Sequence, residues 1–532
     1  MLLLVFVTRF SVAALVLAAI LSSPTLAQRK SVPKSPRANS SAASPEEKRY
    51  AKALALAQSG KLTEAIASFR DLVQLRPDWA EARLNLGLAL QRAGQLDEAI
   101  GEMRAVVTLK PAFAEAHSAL GFALGQKNDL TGAIAEFETA IRYNPKLEEA
   151  QFRVGVTRWL MKQYEAGISP LREAVRLKPD RLEAHYYLGR CLQETGALAE
   201  GIDELRRAVS LGPRVADAHS ALGGALYADG DFDGAVDALR TALGINPNSI
   251  VIRNQLGLAL IQKREADAAI EVFQKALELD PKNIVSMHNL GLAEIQKADY
   301  NAAIETYKRL LSIDPEAAES QYSLALAYKY KDDFANAVEA FRRSIAINPK
   351  LQEAHYSLGV TLMQTGKLEE AIAAFRGAIE AKPDFAEAHY TLGTAFGQKA
   401  ELDAAIAAFR IAIKYAPLNP EIHNALGTSL RQKGEIAAAR LEFAEAARLN
   451  KLKADNQAAI FATNTGTQKL KEGNLAAAIE RFEAAIKLDP KYALAHFQLG
   501  TALWKKGDRE AARAAFELAR QLDPRLKPPL MK

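Results

Sequence analysis

Seven of the eight histidines occupy one phase of a repeating pattern: His117, His185, His219, His355, His389, His423 and His496. Imidazole is the side chain best suited to proton transfer near neutral pH and a common metal ligand. Such a row is therefore the first place to look for chemistry. A metal ion needs its ligands to converge within about 2 Å of one point. These histidines lie a whole repeat or more apart, so they fall on successive structural units and are expected to be packing residues. The eighth, His288, sits one place later in its repeat and is predicted to face outward into a groove. Cys191 is the single cysteine, which precludes an internal disulfide; a buried small residue is the expectation. No nucleophile elbow, zinc motif or phosphate loop occurs, and Gly60-Lys61 and Gly366-Lys367 lack the rest of a phosphate loop. No catalytic, cofactor-binding or metal-binding residue is assigned.

The phase is set by proline. Pro77, Pro111, Pro145, Pro179, Pro213, Pro247, Pro281, Pro315, Pro349, Pro383 and Pro417 follow one another every 34 residues, and Pro490 and Pro524 form another pair at that spacing. A fixed period of this length means stacked copies of one small unit. With proline as position 32, the first repeat begins at Glu46 and the fourteenth at Ala493. Position 8 is Gly in 12 of 14 repeats, and position 20 is Ala in 12 of 14. Position 24 is large and apolar throughout, from Phe69 to Phe516. Positions 4, 7, 8 and 11 share one helical face; 20, 24 and 27 share a face of a second helix. Small residues at 8 and 20 let the two backbones approach closely, and the residue at 24 fills the space beside them. A turn is predicted near position 15, which is Gly at 60, 94, 196, 230, 366 and 434. Proline ends the second helix by denying helical dihedrals to the residue before it. Each repeat is a helical hairpin that must stack on its neighbours.

The binding candidates lie on the other side of the first helix. Positions 2, 5, 9 and 13 fall opposite the packing face at about 100° per residue. Position 5 carries Tyr50, Phe152, Tyr186, Tyr322, Tyr356, Tyr390 and Phe497. Position 13 carries Gln126, Gln262, Gln296, Gln364, Gln398 and Gln432, and position 12 adds Trp159, Tyr227 and Trp504. Tyr and Trp join apolar area to a polar handle, and Gln can bond a peptide backbone through both ends of its amide. These residues either line a groove for an extended or helical polypeptide or pack between adjacent first helices. The acidic run at position 2, from Glu47 to Glu421, is accounted for by the dipole of each first helix.

The pattern resembles the tetratricopeptide repeat family over about residues 46–526; repeat 14 carries it in Leu499, Gly500, Leu503, Ala512, Phe516, Ala519 and Pro524. The resemblance implies an all-α, right-handed superhelical solenoid of about 14 helix-turn-helix repeats, with a concave groove lined mainly by first helices. Some family members clamp a chaperone's C-terminal carboxylate with Lys at 5 and Asn at 9. Neither residue occurs at those positions in any repeat, so that mode is not expected.

Composition sets further bounds. The chain has 532 residues with 68 basic and 63 acidic side chains, a net charge of +5. No basic stripe runs through the repeats, so nucleic acid is not an expected partner. Residues 1–21 are almost wholly apolar, and Thr25-Leu26-Ala27 offers a cleavage point before Gln28. Residues 1–27 are expected to be a secretory signal peptide, giving a periplasmic or secreted protein. The alternative is an uncleaved anchor that tethers the chain to a membrane, facing outside the cytoplasm. Residues 28–45, rich in Ser, Pro, Lys and Arg, are expected to be a disordered linker. Repeats 1–12 span 46–453. Lys451 then stands where proline is due, and 454–458 are an insertion before repeats 13 and 14 at 459–526; the insertion either elongates a helix or makes a hinge. The tail 527–532 cannot form a capping helix, and repeat 14 is expected to be covered by a partner or by a second copy through Phe516 and Leu518.

The function expected is a non-enzymatic scaffold that binds other proteins and supports assembly of envelope or secretion machinery. The alternatives are a membrane-tethered adaptor and a substrate-binding partner of a separate enzyme.

Overall fold

The computed structural model describes residues 44–526. The signal or anchor segment, nearly all of the linker and the tail lie outside them. The described residues form twenty-seven α-helices and fall into two compact units, one ending at Ile313 and one beginning at Asp314. Repeats 1–8 belong to the first unit and repeats 9–14 to the second. Within each unit the helices pack in sequence as antiparallel hairpins, and first helices of neighbouring repeats also touch directly. The fold is an all-α repeat solenoid.

Each hairpin is closed by one small-against-large contact. Position 24 is buried in thirteen repeats, including Phe69, Leu205, Tyr307, Phe375 and Phe482. Opposite it stands the position 8 glycine. A Cβ on Gly189 would lie 2.7 Å from Leu205 Cγ and 2.9 Å from the carbonyl oxygen of Gly201. On Gly121 it would lie 2.9 Å from the Ala133 carbonyl oxygen and from the Phe137 ring. A ring can shift, but a backbone carbonyl in a neighbouring helix cannot. The exception at position 24 is Phe443 in repeat 12, which is half-buried.

The turn inside every hairpin places position 15 in the left-handed region. Eight repeats use Gly there, for example Gly196 at φ 84° and Gly507 at φ 95°. The other six use Asn128, Lys162, Arg264, Ala298, Asp332 and Ala400 at φ between 59° and 64°. Asn and Asp tolerate this conformation, but a left-handed Ala, Lys or Arg costs roughly 1–2 kcal/mol. Between repeats, the residue before proline is extended as proline demands: Lys110 at φ −132°, Lys178 at −141° and Lys382 at −143°.

Lys451 imposes no such break. Residues Ile436–Lys471 therefore run as one helix of 36 residues, joining the second helix of repeat 12 through 454–458 to the first of repeat 13. At the N-terminus Ser44 caps the helix Pro45–Gln58 in a capping box with Glu47. At the other end Phe516 is buried inside its own hairpin, 1% exposed, whereas Leu518 is 40% exposed. The expectation that Phe516 contributes to a terminal contact surface is therefore corrected: it is the position 24 residue of repeat 14 and is consumed by that hairpin. Leu518 and Leu522 are the apolar residues on the outside.

Ion pairs run across the repeats as well. Lys at position 14 meets an acid at position 18 of the preceding repeat in Lys127–Asp97, Lys263–Asp233, Lys297–Asp267, Lys399–Glu369 and Lys433–Asp403. The carboxylates are largely exposed, so solvent screens these pairs and each adds little to stability.

Gly189→Leu is expected to destabilise the fold by at least the ~1–3 kcal/mol of an overpacked contact, read as a lower melting temperature. Ala400→Gly is expected to stabilise by up to ~1 kcal/mol: relief of the left-handed strain exceeds the added chain entropy. A fall in melting temperature would contradict that balance.

Candidate functional site: the face built by the first helices

The histidine row is a set of pins between repeats. In all seven cases Nε2 lies 2.8–3.1 Å from the carbonyl oxygen of the proline six residues earlier. The donor need not be histidine. At the same position Arg83 bonds the Pro77 carbonyl, Arg253 that of Pro247 and Gln151 that of Pro145. Proline supplies a carbonyl that the interrupted helix leaves without an intrahelical partner, and position 4 of the next repeat donates to it. The constant six-residue spacing from Pro to His was the available signal in the sequence.

Three of these histidines carry a second contact. His117, His185 and His423 place Nδ1 at 2.6–2.7 Å from Glu136, Glu204 and Glu442, all at position 23. Arg83 makes the equivalent ion pair with Glu102. For His185, burial pushes the imidazole down, but its hydrogen bonds to Glu204 and the Pro179 carbonyl outweigh this, and its pKa stands above the usual histidine value.

The expected groove residues divide by environment. Phe152 is buried, 3% exposed, with the Arg181 guanidinium 3.6 Å above its ring. Tyr186, Tyr322, Tyr356, Tyr390 and Phe497 are half-buried. Tyr322, Tyr356, Tyr390 and Phe497 pack against the position 24 ring of their own repeats, with centroids 5.4–5.9 Å apart. Two of these hydroxyls reach the next repeat: that of Tyr322 meets Ser357 and that of Tyr356 meets Thr391, each at 3.4 Å. Asn85 donates to Tyr50 in the same way. These tyrosines bridge repeats and still present part of a ring to solvent.

The glutamines divide too. Gln126 accepts from Gln91 at 2.8 Å, Gln262 bonds the Tyr227 hydroxyl, and Gln296 donates to the Ile261 carbonyl. Gln364, Gln398 and Gln432 are exposed, one on each of the first helices of repeats 10, 11 and 12. The open amides and half-open tyrosine rings thus coincide in the second unit.

One buried acid was not foreseen. Glu294 occupies position 11, where the pattern demands an apolar residue, and is 6% exposed. Thr306 hydrogen-bonds its carboxyl, but Oε2 has no partner among the described residues. Burial pushes it up to about 7. His288 is pushed down to about 4 by burial, so the imidazole is neutral; its ring meets Tyr307 edge-on at 5.7 Å. Cys191 is fully buried and its thiol is pushed up to about 12 by burial, which leaves it unreactive. Among the described residues no cluster of metal-binding side chains occurs, and no helix is long and apolar enough to cross a membrane.

With this geometry in place, comparison with known proteins agrees. A family model described as tetratricopeptide repeat matches residues 50–114, 118–181, 161–213, 199–250, 322–384 and 390–459, more than half of the chain. Further tetratricopeptide models match 226–295 and 493–526, and a TPR repeat model matches 291–332 and 466–507. The chain belongs to the tetratricopeptide repeat family. No curated protein matches it. Among solved structures, MamA is 27% identical over 31% of this chain and 96% of its own, with a TM-score of 0.30. YrrB, a TPR protein with an unusual peptide-binding site, is 22% identical over 35% of this chain and 95% of its own, with a TM-score of 0.33. Yeast Tom70 is 15% identical over 75% of this chain and 96% of its own, with a TM-score of 0.39.

Two pH dependences follow. A histidine with a raised folded pKa stabilises fully below its unfolded value of about 6.5, and the contribution is lost as pH rises through the folded pKa. The melting temperature that wild type gains over Glu204→Gln should therefore shrink between pH 6 and pH 8. Glu294 behaves oppositely to a paired carboxylate. Its raised pKa means that stability falls from about pH 4.5 upward until the group is ionised above about 7. Glu294→Gln should raise the melting temperature at pH 8 and leave it nearly unchanged at pH 4.5.

Proposed function

We propose that this protein is a non-enzymatic scaffold that binds polypeptide segments along the face of its first helices, most strongly over repeats 9–12. The observation that carries the reading is the coincidence of exposed Gln364, Gln398 and Gln432 with half-buried Tyr322, Tyr356 and Tyr390. Neighbouring helices stand roughly 8–10 Å apart, and an extended peptide rises roughly 3.3 Å per residue. One glutamine per repeat therefore addresses about every third residue of an extended ligand. Each amide offers a donor and an acceptor to backbone, and the tyrosine rings between them supply apolar contact.

The apolar run at residues 1–21 and the small residues before Gln28 support export, with the mature scaffold in the periplasm or outside the cell. An uncleaved segment would instead make it a membrane-tethered adaptor. Assembly of envelope or secretion machinery is the role that suits an exported scaffold without chemistry of its own. Self-association through Leu518 and Leu522 is the form that dimerisation would take.

Affinity capture from envelope fractions, with residues 44–526 as bait, tests the reading. The triple variant Gln364→Ala, Gln398→Ala, Gln432→Ala should lose the captured partners at least tenfold while melting within a few degrees of wild type. Equal capture by both baits would refute binding at this face. N-terminal sequencing separates export from anchoring, since a mature chain beginning at Gln28 excludes the anchor.

A further inference from the structure

Repeats 4 and 5 hold a concentration of arginine and aromatic side chains in which one guanidinium is left without an ion pair. Arg153 bonds Glu149 through Nε at 2.6 Å. Arg181 bonds both Glu148 and Glu149 at 2.7–3.0 Å. Those two carboxylates are thereby committed to two guanidinium groups. The third arginine of the cluster, Arg190, has no ion-pair partner among the described residues, and Glu194, one turn further along its helix, closes no pair with it. Its guanidinium lies over the Trp159 indole, 5.7 Å from the ring centroid, and Nη1 reaches the Tyr186 hydroxyl only at 3.3 Å.

Two donors here lack an acceptor. Trp159 is 8% exposed, and its Nε1–H has no partner among the described residues; neither has Nε–H of Arg190. A buried donor left unmet is destabilising, so two of them beside a cation without an ion pair are an unfavourable arrangement for packing alone. Trp159 is at position 12 of repeat 4, Arg190 at position 9 and Tyr186 at position 5 of repeat 5, all on the first-helix face. The indole is also held in place: Tyr187 meets it edge-on at 5.2 Å, and Tyr186 meets Tyr187 at 5.1 Å. Two N–H donors, one positive charge and fixed aromatic walls call for an oxygen acceptor carrying negative charge.

We propose that Trp159 and Arg190 form a subsite for an acidic side chain, Asp or Glu, of a polypeptide bound along the first-helix face. The inference rests on the reading of that face as a peptide-binding surface. The carboxylate takes the indole N–H and the guanidinium together, and Arg190 turns off the ring to meet it. That turn gives up one long hydrogen bond and the stacking contact, and it gains a charge-assisted pair. Arg153 and Arg181 take no part because their carboxylates already occupy them. Recognition by this subsite selects acidic segments.

The test uses the chain with Trp79→Phe and Trp504→Phe, which leaves Trp159 as the sole tryptophan. Its fluorescence is titrated with two pools of N-acetylated, C-amidated twelve-residue peptides, identical except for a central Glu or Gln. The Glu pool should bind at least tenfold more tightly and shift the Trp159 emission. Arg190→Gln should abolish the preference, and Arg190→Lys, which keeps the charge but not the fork, should not restore it. If Arg190→Gln proves unstable by thermal melting, changing Trp159 to Phe in the chain with Trp79 and Trp504 intact removes only the indole donor. Binding of a labelled Glu pool, followed by anisotropy, should then weaken severalfold. Equal binding of both pools, or a preference that survives Arg190→Gln, overturns the subsite while leaving the peptide-binding face intact. Failure of either pool to bind at any concentration overturns both. Binding only by peptides with a free C-terminus would assign the site to a chain end and overturn the side-chain assignment.

Discussion

Everything in this protein depends on how closely two helices can approach inside one hairpin. The glycine at position 8 puts backbone where other helices put side chain, and the residue at position 24 fills the space opposite. At Gly189 and Gly121 a single added carbon would meet a carbonyl oxygen of the partner helix at 2.9 Å. That contact sets the separation of the helices and hence the surface that each hairpin offers to the next. Repeated within each unit, it places neighbouring first helices side by side as a face. In the second unit that face carries exposed glutamines and half-buried tyrosines in register.

The joints between hairpins use a different interaction. Proline ends each second helix and leaves a carbonyl that the next repeat must satisfy. Position 4 does so with His, Arg or Gln, which explains why chemically different residues recur there. The histidine row that first suggests chemistry is thus bound up in assembly. Where Glu stands at position 23, the same joint also carries charge.

Much of this architecture could be read directly from residue spacing. The helices, their turns and their termination by proline follow from Gly at 15, Ala at 20 and Pro at 32. The left-handed turn is more general than the glycines suggested, because Ala298 and Ala400 adopt it too. Hairpin closure overrides local preference there. The candidate site was only half legible. The pattern placed Phe152 and Gln364 alike on the first-helix face. Yet Phe152 is covered by Arg181 from the following turn, while Gln364 stays open. Helical phase gives the direction of a side chain but not what the next repeat lays over it. The same limit applies to Phe516, whose apolar character was legible and whose enclosure within its own hairpin was not.

The amino-acid sequence alone determined the repeat unit, its number, its all-α character and the place where its register fails. These are set by local dihedral preference and by periodic volume, both of which act within one hairpin. Tertiary structure decided which groups remain free. It committed Glu148 and Glu149 to Arg181, left Arg190 without an ion pair, and buried Glu294 at an apolar position. It also fused the helices across 454–458 into one. The reason is that charge pairing and burial depend on residues some 20 to 35 places apart in the chain, which only stacking brings into contact.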